Sequence, residues 1–142
     1  MSDQDLGYMS AVEAASRIRK KEISPVELTN VVLERAELVQ AKLNAFITVS
    51  SDLARAEAKV AEQAVMSGDE LGPLHGIPLT VKDLVNTAGV KTTFGSYGFI
   101  DNIPEVDSIG VARLREAGAI LIGKTTTPEF GHKPMTDAPL FG

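Results

Sequence analysis

The residue best placed to do chemistry is a lysine at the end of Gly76-Ile77-Pro78-Leu79-Thr80-Val81-Lys82-Asp83. Charged side chains are seldom buried without a partner. A lysine delivered by Ile77, Leu79 and Val81 is therefore half of a structural ion pair or a tuned base. Strand alternation puts Ile77, Leu79 and Val81 on one face, and Thr80 and Lys82 on the other. A base needs a neutral amine near pH 7, against a reference pKa of about 10.4. Desolvation or a nearby cation lowers that value and a carboxylate raises it. The apolar run supplies the first influence, and Lys124 supplies the second if the fold brings it close. Asp83 falls on the opposite face and need not be the partner. The residues leave both roles open and weigh toward the ion pair.

Other candidates are weaker. Thr92-Thr93-Phe94-Gly95-Ser96 and Thr125-Thr126-Thr127 follow the second and third expected strands. In open α/β sheets, sites gather beyond the carboxyl ends of strands. Either stretch could hydrogen-bond a polar substrate, and either could be turn and cap chemistry; Thr127 before Pro128-Glu129 reads as a helix N-cap. Gly118-Ala119-Ile120-Leu121-Ile122-Gly123-Lys124-Thr125 fits the phosphate-loop pattern letter for letter, but the Ala-Ile-Leu-Ile centre wants to be the strand itself. Lys124 is better read as a strand-end residue, paired or lining a site. His75 and His132 are the only histidines and share no helix turn, so neither a metal site nor a histidine triad is expected. No cysteine is present, which excludes a thiolate nucleophile, a disulfide or a cysteine-based metal site.

Several elements must position these residues. Ser10-x-x-Glu13 and Ser24-Pro25-x-Glu27 are capping-box patterns, predicting helices from Ala11 to about Lys20 and from Pro25 to about Ala41. Leu28, Val32, Ala36 and Val39 form the apolar stripe of the second. Residues 44–49 predict a strand. A third helix, capped by Ser51 or Asp52 and closed by Gly68, places Leu53, Ala56, Val60 and Ala64 on one face. Ile77–Lys82 predicts a second strand, with Pro78 pointing to an edge or a first-residue position. Residues 86–104 read as loop. Asp107 or Ser108 caps a fourth helix with Val111, Leu114 and Ala117 inward, stopped by Gly118. Residues 119–122 form an apolar, central third strand. This rhythm predicts an α/β fold with parallel pairings: a helical stretch over 1–43, then an α/β stretch over 44–142, in one unit.

The chain has 142 residues, 44% of them hydrophobic, and a net charge of −5. That balance offers nothing to nucleic acid or anionic membranes. No apolar run nears the roughly 20 residues that span a bilayer. The polar, acidic start (residues 1–8) is unlike a signal peptide, and a cytoplasmic location is expected. Residues 134–142 close without a capped element, which suggests a truncated longer protein.

Together these segments resemble the amidase signature family. Leu74–Asp83 is similar to its lysine-bearing segment, Val90–Gly95 to the threonine-glycine stretch after it, and Asp107–Phe130 to the next block. The helical start and Asn44-Ala45-Phe46 fit as well. The resemblance implies amide hydrolysis or amidotransfer by a Ser–cis-Ser–Lys unit, without cofactor, on a mixed sheet wrapped by helices. It makes Lys82 the lysine of that unit, a general base acting through a bridging serine on the nucleophile, and gives Lys124 no catalytic role. Family members carry both serines in a glycine-serine motif, and no Gly-Gly-Ser-Ser-Gly-Gly occurs here. The expectation is the N-terminal part of an amidase, inactive alone, acting in its parent on a small-molecule amide and prone to self-association through exposed surface. Gly131-His132-Lys133 tilts the reading toward a hydrolase over a tRNA-linked amidotransferase. A non-catalytic binding or scaffold remnant and a phosphate-binding α/β protein are the rivals.

Overall fold

The computed structural model describes residues 6–142. Helix α1 spans Ala11–Arg19 and α2 Pro25–Leu43. Both begin as their sequences dictate. The Ser10 hydroxyl accepts from the Glu13 N–H, and Ser24 accepts from the N–H groups of Val26 and Glu27. Each serine thereby satisfies donors that a helix start leaves without intrahelical partners. Strand β1 (Phe46–Val49) follows, then α3 (Ser51–Ser67), β2 (Pro78–Lys82), α4 (Ile109–Glu116) and β3 (Ile120–Thr125). Single turns of 3₁₀ helix lie at Tyr97–Phe99 and Glu129–Gly131.

The sheet order is β1-β3-β2, with β3 central as expected, parallel to β2 and antiparallel to β1. Pro78 opens the edge strand β2, where its missing N–H costs no ladder bond. Because β3 runs through Gly123, Lys124 and Thr125, these residues are extended strand and not a loop curled for phosphate.

Three expectations of detail fail. The N-cap of α3 is Ser50, without a side-chain bond, instead of Ser51 or Asp52. Its buried face is Ala54, Ala58, Ala61 and Val65, whereas Leu53, Ala56, Val60 and Ala64 turn outward or half outward. Alanines let α3 lie close to α2 and β3, forming a core with Leu33, Ile120 and Ile122. On α4 only Val111 is buried, and Leu114 is exposed. Ser108 caps α4, while Asp107 binds the Ala88 N–H and the Arg115 guanidinium.

Ile77, Leu79 and Val81 also do not share one environment. Ile77 precedes the strand and packs with Ile18, Leu28 and Val65. Val81 joins Val90, Val111 and Leu121 on the α4 side, with Leu79 against them.

The approach of β1 to β3 depends on Gly123: a Cβ there would sit 2.4 Å from the Thr48 carbonyl oxygen. Gly123→Ala should cost about 1–3 kcal/mol through overpacking. Gly110→Ala on α4, with open space around it, should gain up to about 1 kcal/mol. Urea melts of both variants check the opposite signs.

Candidate functional site

A bulge decides which lysine is buried. Leu79 pairs with Leu121, but Thr80 pairs with Gly123, so β3 carries one extra residue, Ile122, between them. One inserted residue shifts the alternation of every later side chain. After the bulge Lys124 lies beside Val81 and Thr125 beside Lys82. The bulge thus puts Lys124 on the α4 side with Val81, and Lys82 on the opposite face.

Lys82 is exposed, not desolvated as its apolar run suggested. Its ammonium makes no hydrogen bond or ion pair among the described residues. The ion-pair reading therefore fails within them. The physical reason is its position at the very end of an edge strand, past the helices that cover Ile120 and Ile122.

Lys124 takes the buried place, at 0% exposure. Its ammonium donates to the Val85 carbonyl at 2.5 Å, the Thr87 hydroxyl at 2.8 Å and the Thr92 hydroxyl at 2.9 Å. Thr87 and Thr92 spend their own protons on the carbonyls of Val85 and Val90. Desolvation pulls the Lys124 pKa down to about 8, against the opposing pull of Asp83 and Asp107.

Asp83 is also fully buried and does not pair with Lys82. Its Oδ2 accepts from the Thr93 N–H at 2.9 Å and the Thr93 hydroxyl at 2.5 Å. The Asp83 carbonyl accepts from Phe94 N–H, and the Phe94 carbonyl from Phe130 N–H. This relay ties the end of β2 to the loop at 92–96 and then to the turn at 127–131. Phe94 (φ 56°) and Phe130 (φ 50°) both hold left-handed backbone, costly for a bulky residue. Their rings stack at 6.2 Å, and Phe99 meets both edge-on.

The hydroxyl-rich stretches thus serve structure more than an open site. Thr92, Thr93 and Thr127 are buried, while Thr125 and Thr126 are half-buried near Lys82. Thr127 is not an N-cap: its hydroxyl donates to the Pro128 carbonyl, and Pro128 precedes the 3₁₀ turn. His75 Nε2 meets the Ala61 carbonyl and His132 Nδ1 that of Glu129, so the two histidines serve separate elements. Sequence reasoning missed the anchoring roles of Asp83 and Lys124. Two threonines spaced to face one lysine were the available signal, legible only once the bulge is known.

The Lys124 proton carries a pH signature. Folded, it leaves near 8; unfolded, near about 10.4. Between those values the unfolded chain binds more protons, so stability should rise with pH across that window. Denaturant melts through the window should show this rise in the wild type and not in Lys124→Met. An unchanged slope in the variant would assign the rise to other groups.

A family model described as Amidase matches residues 27–142. An acylamidase from Rhodococcus erythropolis is 37% identical over all 142 residues, which span 30% of that enzyme. A glutamyl-tRNA(Gln) amidotransferase subunit from Geotalea daltonii is 42% identical over 97% of this chain and 28% of its own length. The solved structure of a fatty acid amide hydrolase superposes with a TM-score of 0.93 at 26% identity, covering 99% of this chain and 25% of that one. The chain thus spans less than a third of the length of each of these proteins. Residues that resemble the family's lysine segment stand at the carboxyl end of β2, on the fold these enzymes share, and the chain belongs to the amidase signature family.

Proposed function

We propose that this chain is the N-terminal part of an enzyme that hydrolyses a carbon–nitrogen amide bond, with Lys82 as its general base. The carrying observation is the exposed amine of Lys82, without a partner among the described residues, at the end of β2 beside Thr125, in a chain matched by the Amidase family over 27–142. Neutral Lys82 takes a proton through a bridging serine from the nucleophilic serine as its oxygen attacks the carbonyl. The carbon–nitrogen bond then breaks, the amine leaves with the proton, and water releases the acid from the acyl-enzyme. The glycine-serine motif that carries both serines in the family does not occur in these 142 residues, so on this reading the 142 residues by themselves do not turn over amides. The parent acts on a small-molecule amide without metal or organic cofactor, in the cytoplasm. An amidotransferase, in which the ammonia freed from an amide donor passes to a second acyl group while water releases the donor's acid, is the second reading, favoured by the amidotransferase relatives at up to 42% identity. Identity to an acylamidase over the whole chain and the hydrolase among the solved structures support hydrolysis.

A chimera tests this reading. Residues 1–142 replace the matching 30% of the Rhodococcus acylamidase, and hydrolysis of a simple aryl amide is followed. Turnover is expected in the chimera, lost in its Lys82→Ala variant, and absent from the 142 residues alone. A folded but inactive chimera would favour a binding or scaffold remnant; turnover by the 142 residues alone that vanishes with Lys82→Ala would refute the need for the serines.

The same reading makes the 142 residues self-associate. Ile103, Val106 and Ile109, within seven residues of one another in sequence, are 57%, 71% and 73% exposed, and large exposed apolar surface favours association. Light scattering should give a mass that grows with concentration; a constant monomer mass would count against it.

A further inference from the structure

We infer that Lys124 is a positioning residue: its ammonium clamps the loop between Lys82 and the Thr92–Gly95 turn, and thereby sets how Lys82 is presented on the opposite face of the sheet. The naming of Lys82 as the working amine rests on the hydrolase reading; the clamp does not.

The donor count is decisive. A lysine ammonium has three N–H donors and no acceptor. Three oxygens face it, and each lies within 2.5–2.9 Å. The two threonine hydroxyls have already donated to backbone carbonyls, so they can only accept from the amine. Lys124, Thr87 and Thr92 are each 0% exposed, so water cannot replace any of these bonds. The protonated form can donate to all three oxygens at once, whereas a neutral amine has two donors for them. The charged groups facing it are Asp83 at the end of β2 and Asp107 ahead of α4. Neither makes an ion pair with it among the described residues.

The clamp reaches Lys82 along a short path. Lys124 holds Val85, Thr87 and Thr92, three points on the segment that leaves β2 directly after Lys82 and Asp83. Thr92 adjoins Thr93, which Asp83 holds from the other side. The Asp83 N–H is fixed in turn by the Thr125 carbonyl. Lys82 therefore sits between two anchored residues, Val81 in the β2–β3 ladder and Asp83 in this cage, with the direction of its side chain fixed by both.

The test uses the 142-residue chain and three variants: Lys124→Met, which keeps length and removes charge and donors, and Thr87→Val and Thr92→Val, which each remove one acceptor. Amide hydrogen exchange is read for Thr93, Phe94 and Gly95, and for α1 and α2 as an internal reference. The pH–rate profile of Lys82 toward an acylating reagent is read against exposed Lys59. Loss of charge-assisted hydrogen bonds should speed loop exchange by about tenfold or more in Lys124→Met, and by less in either valine variant, with the helices unchanged. The Lys82 profile should shift relative to Lys59. Faster exchange in helices and loop alike would mean a general stability role and would overturn the inference. So would a looser loop with an unmoved Lys82 profile. If Lys124→Met does not fold, the valine variants give the same reading. No readout needs turnover, so an inactive chimera would sink the hydrolase reading while leaving the clamp in place.

Discussion

A cation in the interior is the constraint on which the site end of this fold depends. An ammonium taken out of water costs several kcal/mol unless its lost hydration is replaced, and among the described residues no carboxylate touches Lys124. Its replacement comes from three neutral oxygens on one loop. The loop after β2 must then close back over the sheet so that Val85, Thr87 and Thr92 converge on one point. The β3 bulge follows from the same demand. Without the bulge, Lys124 would turn to the face of Ile120 and Ile122, beside Lys82 and away from the loop oxygens that cage it.

Asp83 works from the other end of the loop with the opposite charge. One carboxylate oxygen gathers an N–H and a hydroxyl from Thr93, and its backbone passes the connection to Phe94 and Phe130. Two phenylalanines in left-handed backbone would be unfavourable alone, at about 1–3 kcal/mol each. Here the relay and the stacking of their rings hold them together. Gly95 completes the junction, because a Cβ there would meet the Thr127 carbonyl at 3.0 Å. The turns beyond β2 and β3 thus form one interlocked unit at the carboxyl end of the strands.

Local signals in the sequence were enough for the frame. Ser10 and Ser24 announced their helices because capping is settled within four residues. Pro78 announced the edge, and the apolar run at 119–122 the central strand. The third helix misled because hydrophobicity was weighed by size: Leu53 and Val60 look more buried than Ala54 and Ala58, but close packing against α2 favours the small residues. The lysines misled for a longer-range reason. A bulge changes the parity of a strand, and nothing in Ile120–Thr125 alone reveals where the neighbouring strand will skip. The family resemblance singled out Lys82 by pattern, and the burial of Lys124 stayed illegible because its partners lie 32 to 39 residues away.

The two lysines divide two demands that one residue could not meet. A scaffold cation has to be saturated, since any free donor in the interior is a cost. A base must have a free lone pair and a route for its proton, which saturation would block. Lys124 has every donor engaged and no access to solvent; Lys82, among the described residues, has its amine open and unengaged. A lysine becomes a base when burial or a neighbouring cation disfavours its charge, and within residues 6–142 nothing covers Lys82. On the hydrolase reading proposed above, the cover that tunes Lys82 belongs over its own face of the sheet, beside Thr80 and Thr125. In that arrangement the cage around Lys124 acts before any tuning: it fixes the direction from which Lys82 meets whatever atoms complete the site.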